Sequence, residues 1–352
     1  MQLYVKHFEK SNSYSEGDDV FMHFYCPECN GKLKVGAELF NVEITCPSCQ
    51  QQITGPYPSV CVGQQIKQFQ IDGFIGQGAN GEAYAGTDTY TDQAMVVKIV
   101  GPDKVNDQLI ALFKQEYSIL RKIDHPSIVK GLACGKDSNF FYFAMDRVYG
   151  ESCDESLERE DIFPEKVVFH IIIKAAEALD YVWKNFKIIH SDLKPGNLMM
   201  DYRSQVYVMD WGLAQDLSGT ADEEARDAMG TPLYMAPEVM NGDADLDCQA
   251  DIYSLGVTCF EMLTGELPFL AETLDGLVEQ VRNAPTPKVS QHLPNVNSAL
   301  DELIYKMMAR DRADRFQNWS ELLRQLCEMF PENEEDADEV VLHEDEEFVV
   351  TD

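Results

Sequence analysis

The stretch "FIGQGANGEAYAG", residues 74–86, constrains this chain more than any other. Gly76, Gly78 and Gly81 let the backbone close over a polyphosphate with no side chain in the way. The same G-x-G-x-x-G spacing opens dinucleotide-binding folds, but there a helix follows the glycines. Here a second strand follows, "AMVVKIV" at 94–100. That order argues against a helix N-terminus and for a β-hairpin flap over the phosphates. The second strand carries Lys98 between Val96, Val97 and Ile99. An ammonium in so apolar a strand is costly unless it is paired or holds an anion. In "DQLIALFKQEYSILRKI", Leu109, Phe113, Glu116 and Leu120 share one helical face by i, i+3/i+4 spacing. Glu116 therefore points inward with the core, and Lys98 is its natural partner.

Further on, "IIHSDLKPGN" at 188–197 gathers Asp192, Lys194 and Asn197 on one short loop after an apolar run. The strand-like "QVYVMD" then delivers Asp210, with Gly212 placed to let the chain turn sharply. From the glycine loop through Lys98, Glu116, "HSDLKPGN", "DWG" at 210–212, "GTPLYMAPE" at 230–238, "DIYSLGVTCFEMLTGELPF" at 251–269 and Arg315, the order resembles a bacterial-style, eukaryotic-type serine/threonine protein kinase domain. The resemblance spans about 66–329. It implies an α+β, bilobal fold with a small β-rich N-lobe and a larger helical C-lobe.

The resemblance also implies roles. Phosphoryl transfer needs charge neutralised on oxygens and a nucleophile held in line. Asp192 would orient the attacking hydroxyl and take its proton, and Lys194 would neutralise the transferring γ-phosphoryl. Asn197 and Asp210 would offer hard oxygens to Mg²⁺. Ile75, Gly76, Gln77, Gly78, Ala79, Asn80 and Gly81 would cover ATP, with Lys98 held by Glu116. Ala83, Val96, Met145 (the gate residue), Asp146, Val148 and Met199 would line the nucleotide site, backbone groups of Asp146 and Val148 meeting the adenine edge. Lys194 and Thr231 follow the serine/threonine pattern. Asp251 would brace the catalytic loop, and Glu238 would pair with Arg315.

The chain departs from the pattern in four places. Ala83 stands for the usual valine and Val96 for the usual alanine, a volume-conserving exchange across one site. Trp211 replaces phenylalanine, and a larger ring there can still stack on His190 and Leu120. Ser191 replaces the arginine that a phosphate on the activation loop would otherwise pin. Activity without activation-loop phosphorylation is the expectation, although Ser218, Thr220 and Thr231 lie in that segment beside Asp222, Glu223 and Glu224.

Before this domain, Cys26, Cys29, Cys46 and Cys49 form two C-x2-C knuckles sixteen residues apart. Two such knuckles complete a tetrahedral S4 shell suited to structural Zn²⁺, so 21–58 resembles a zinc ribbon. Pro27 and Pro47 stiffen the knuckles, and the alternation of Lys32, Leu33, Lys34 and Val35 suggests short strands between them. Two redox-active or disulfide pairs are the alternative.

The 352 residues include 28 basic and 61 acidic ones, a formal charge of −33. Such a surface disfavours nucleic acid and mildly favours basic partners. The longest apolar stretch, "VVFHIIIKAAEALDYVW", is broken by His170, Lys174, Glu177 and Asp180, so no membrane span is expected and a cytoplasmic setting follows. Residues 1–20 read as a flexible lead-in, and 330–352, with 11 acidic residues and no lysine or arginine, as an acidic disordered tail. Protein substrates bearing serine or threonine are implied. A catalytically silent scaffold that binds partners through the same fold is the alternative.

Overall fold

A computed structural model describes residues 21–26, 28–29, 32–36, 42–54, 58–78, 81–102, 104–218 and 230–329. The expected lead-in and tail lie outside these, as do Ala79, Asn80, Thr220 and the acidic run 222–224. The chain forms two compact units, 1–109 with 135–144, and 110–134 with 145–352.

The first unit begins with two small antiparallel ribbons. One pairs β1 (Phe21–Tyr25) with β2 (Lys32–Gly36), and the other pairs β3 (Glu43–Thr45) with β4 (Gln52–Thr54). Among the described residues, their shared core is Cys26, Leu33, Cys46 and Ile53, with Ile44 and Cys49 against it. So small a cluster does not stabilise a fold by apolar burial alone. A sheet follows, built on β5 (Gln65–Ile66), β6 (Phe69–Gly78), β7 (Gly81–Asp88) and β8 (Ala94–Val100). After α1 (Asp107–Leu120), β9 (Gly131–Asp137) and β10 (Phe140–Asp146) complete it in the order β5-β6-β7-β8-β10-β9. The expected hairpin is thus present: β6 pairs antiparallel with β7, down to Gly78 opposite Gly81.

The second unit is helical around a few short strands. These are β11 (Gly150–Ser152), β12 (Ile188–Ile189), β13 (Leu198–Asp201), β14 (Val206–Val208) and β15 (Gln215–Asp216). The helices after α1 are α2 (Cys153–Glu160), α3 (Glu165–Phe186), α4 (Pro237–Asn241), α5 (Cys248–Thr264), α6 (Leu274–Asn283), α7 (Ser298–Met307) and α8 (Trp319–Met329). In α3 an i, i+3/i+4 stripe of Val168, Ile171, Ile172, Ala175, Ala178, Leu179 and Val182 is buried. In α5 nearly every residue is buried, the pattern of a central helix enclosed on all sides. Gly256 allows the close approach of α7: a Cβ there would lie 2.8 Å from the Cβ of Met307. Asp247 caps the start of α5 through the Gln249 N–H, and left-handed Gly265 ends it. No helix among the described residues is long and apolar enough to cross a membrane.

Candidate active site and four-cysteine centre

In the first unit, the chain turns at each knuckle bring four sulfurs together. Cys26 Sγ lies 3.8 Å from Cys49 Sγ, and Cys29 Sγ 3.8 Å from Cys46 Sγ. All four sulfurs lie within 4.8 Å of one another. A disulfide needs about 2.05 Å, so neither contact is a bond. A tetrahedron with metal–sulfur bonds of about 2.3 Å has edges of about 3.8 Å, so the cluster fits one Zn²⁺. Within this set of four sulfurs the Cys49 backbone N–H aimed at Cys46 holds that thiol below its usual value, while the neighbouring sulfurs push Cys49 above its own.

The hairpin places the next set. Gly81 takes φ +130°, and a Cβ there would sit 2.7 Å from the Ile99 carbonyl oxygen, so only glycine fits. In register, Ala83 faces Lys98 and Ala85 faces Val96. Ala83, Lys98 and Val96 therefore share one face of the sheet, Ala83 and Val96 as diagonal neighbours. The Lys98 ammonium lies 6.0 Å from the centre of the Phe143 ring. Ile75 is exposed and Gly76 and Gln77 are half-buried along β6.

The second unit carries the remaining positions. Glu116 is buried on α1 with Phe113, Ile119 and Leu120, whereas Leu109 is only half-buried. Its Oε2 lies 4.0 Å from where a Cβ on Gly212 would stand. Met145 is buried at the end of β10. Asp146 donates its N–H to the Lys130 carbonyl and accepts the Lys130 N–H on its carboxylate, both at 3.1 Å. Val148 follows half-buried, and Met199 on β13 lies between Ser152 and Tyr207.

The loop after β12 converges on Asp192. Its Oδ1 accepts the Thr231 N–H and hydroxyl, each at 2.8 Å. Its Oδ2 accepts from Lys194 Nζ at 2.8 Å and Asn197 Nδ2 at 2.9 Å. Asn197 Nδ2 also reaches the Asp192 carbonyl at 2.7 Å, and Lys194 Nζ reaches the Thr231 hydroxyl at 2.8 Å. A 3-10 turn over Pro195–Asn197 sets this spacing. Behind the loop, the buried Asp251 carboxylate accepts the N–H groups of His190 at 2.6 Å and Ser191 at 2.9 Å. Burial pushes the Asp251 carboxyl up. The two backbone bonds hold Ser191 at φ +66°, a left-handed conformation that a non-glycine residue keeps only when so fixed. Ser191 Oγ, buried, has no hydrogen-bond partner among the described residues.

Two assignments shift. Gly212 carries no positive φ; the chain turns instead at Asp210, with φ 58° and ψ 72°, before a 3-10 turn over Trp211–Leu213. Trp211 meets His190 edge-on, centroids 4.7 Å apart, while its indole donates to the Val208 carbonyl. Gly230 is required by a contact that no local sequence pattern signals: a Cβ there would lie 2.4 Å from the Ser191 carbonyl oxygen. Only glycine lets the backbone at 230 pass so close to the loop. Gln115 also ties α1 to the Ala214 carbonyl at 2.5 Å, a contact between residues too far apart in sequence for periodicity to find.

A β-rich small unit with a glycine hairpin and a helical unit built around Asp192 define the class. The protein kinase domain family matches residues 69–327, and the chain belongs to it. It is 28% identical over 289 residues to the serine/threonine-protein kinase PrkC of Bacillus subtilis (strain 168), covering 82% of this chain and 44% of that protein. It is 28% identical over 285 residues to PknB of Mycobacterium leprae (strain TN), covering 79% and 45%. With STY17 of Arabidopsis thaliana, also a serine/threonine-protein kinase, identity is 31% over 271 residues, covering 76% and 45%. The chain thus spans less than half the length of these relatives.

Proposed function

We propose that the protein is a serine/threonine protein kinase that transfers the γ-phosphate of ATP to hydroxyls of protein substrates, with a kinase domain over 66–329 and a zinc-stabilised module over 21–58. The observation that carries this reading is the convergence of Lys194, Asn197 and Thr231 on the two oxygens of Asp192. Bound ATP and Mg²⁺ would supply the phosphoryl group and the positive charge that neutralises its oxygens. Asp192 orients a substrate hydroxyl and takes its proton. Lys194, two residues on, places an ammonium where charge develops. Asn197 turns its amide nitrogen to Asp192, so its Oδ1 is the hard oxygen that, with the Asp210 carboxylate, would hold Mg²⁺. Lys98, with Glu116 as its partner, and the glycine hairpin would hold the phosphates, Ala79 and Asn80 among them. Met145, Ala83, Val96 and Met199 would enclose the base. Asp146 would offer its carbonyl to the adenine edge, its N–H being used by Lys130, and Val148 would complete the contact.

Transfer of labelled γ-phosphate from ATP to a generic basic protein tests the reading. The basic preference rests on the charge of −33. A cytoplasmic setting suits a reaction that draws on ATP and cysteines kept as thiolates.

Ser191 makes the reading specific. Its neighbour Asp192 is oriented by Thr231, Lys194 and Asn197, and β12 pairs with β15 through Ile188–Asp216 and Ile189–Gln215. No cation stands at position 191 to be drawn in by a phosphate. Protein stripped by phosphatase is expected to retain its transfer rate; loss of most of it would overturn phosphorylation-independent activity.

The cysteine centre has its own test. Purified chain is expected to hold one zinc, and Cys26→Ser/Cys46→Ser to hold none, by elemental analysis. Apparent zinc binding free energies of about 10–16 kcal/mol far exceed what the module's core supplies, so zinc removal should abolish protection of residues 42–54 from proteolysis.

A further inference from the structure

Glu82 follows the last glycine of the hairpin, on the opposite face of β7 from Ala83, and takes no part in the chemistry described above. It is 2% exposed. Its Oε2 accepts the Ser59 N–H at 2.8 Å and the Tyr84 hydroxyl at 2.6 Å; its Oε1 accepts the Ser59 hydroxyl at 3.0 Å. Lys104 Nζ stands 3.7 Å from Oε1. The Tyr84 oxygen in turn accepts the Val60 N–H at 3.1 Å. A buried carboxylate is tolerated only with such a full set of donors, and removing one costs the desolvation of the rest. The seat is close: a Cβ on Gly101 would come 2.6 Å from Ser59 Oγ.

The segment held by Glu82 is the one joining the cysteine module to the kinase sheet. Beyond Ser59 it stays bound: Val60 and Ile66 are buried, Gly63 N–H bonds the Ile71 carbonyl at 2.7 Å, and Ile71 N–H bonds the Gln64 carbonyl at 2.9 Å. On its other side, β4 ends at Thr54, and Ser59 follows five residues later in the chain. β1 also lies against β6, the outgoing strand of the glycine hairpin.

The geometry points to Glu82 as a positioning residue, a latch that fixes the base of the glycine hairpin to segment 59–66 and makes nucleotide binding depend on metal in the cysteine module. The inference rests on the proposed kinase function and the zinc reading. With metal bound, the module is ordered, β1 stays against β6 and Ser59 keeps its seat on Glu82. With metal removed, the module loses its order, segment 59–66 is released, and Glu82 faces water from the foot of a loosened flap. Coupling of this kind is reciprocal: whatever factor zinc adds to nucleotide affinity, nucleotide must add to zinc affinity.

The test measures binding by the full chain, with a fluorescent ADP analogue and magnesium, before and after zinc is stripped and the chelator removed. Stripping is expected to weaken nucleotide binding about fivefold or more, at the low end of known couplings. ADP should tighten zinc, read by chelator competition, by the same factor. In Glu82→Gln, zinc-loaded protein is expected to bind as weakly as stripped wild type, with no further loss on stripping. Tyr84→Phe keeps the ring in its packing against Phe74 and should also lower the coupling. Equal nucleotide affinity with and without zinc in wild type would overturn the latch alone. A folded chain that binds no nucleotide in any form would overturn the kinase reading with it, and one that holds no zinc would overturn the metal reading with it.

Discussion

Asp192→Asn is expected to lower the rate of γ-phosphate transfer by about 10²- to 10⁴-fold, the usual contribution of a positioned general base, while nucleotide affinity stays close to wild type. The side chain keeps its shape, so Oδ1 can still accept from Thr231. At the other position an NH₂ group would confront two donors, Lys194 Nζ and Asn197 Nδ2, which now share the Oδ2 oxygen. The variant therefore loses proton acceptance and gains a donor–donor conflict at the loop. Because Asp192 is 7% exposed, water does not readily substitute for the lost acceptor. Paired measurements of transfer rate and of nucleotide binding separate this outcome from unfolding. A variant that transfers phosphate at the wild-type rate would remove Asp192 from the chemistry. A wild-type chain that binds nucleotide without transferring it would point to the scaffold alternative.

The largest effect on stability is expected at Glu238. Arg315 is 1% exposed, and its guanidinium donates to both Glu238 carboxylate oxygens, at 2.7 and 3.2 Å. It also reaches the Gln249 and Ala309 carbonyls and lies 5.0 Å from the centre of the Tyr253 ring. Glu238→Ala leaves that cation buried and uncompensated, a loss of about 3–5 kcal/mol. Urea unfolding should show it as a lower midpoint at unchanged slope. Replacing both partners by apolar residues, Glu238→Leu with Arg315→Met, should recover most of the loss, because no buried charge then remains. If Glu238→Ala unfolded at the wild-type midpoint, the pair would have no role in holding the helical unit together.

Much of this is legible in the sequence itself. Phosphate chemistry demands a few residue types in a fixed order, and the order from Gly76 to Arg315 met it. Sulfur spacing likewise announced the four-cysteine cluster, because two turns of the chain suffice to bring each pair together. Helical periodicity turned Glu116 inward, where it is found. What escaped was decided through space. Asp210 carries the turn assigned to Gly212 because its φ is set by the strand behind it and the 3-10 turn ahead. Gly230 is required by the passage of one backbone over another, 39 residues away at Ser191 in sequence. Glu82 carries no signal in the local sequence, and only the return of Ser59 to its side, 23 residues earlier in the chain, buries it.

The two-residue strand β5 has a practical meaning for anyone cutting the chain. Lys67, at φ 53°, turns the chain out of β5 and back into β6, so Gly63–Ile66 shield the outer rim of β6 along Phe69–Ile71. A fragment begun at residue 69, where the family match starts, would bare that rim. Naked strand rims recruit other chains into sheets, so such a fragment invites aggregation that the intact protein avoids.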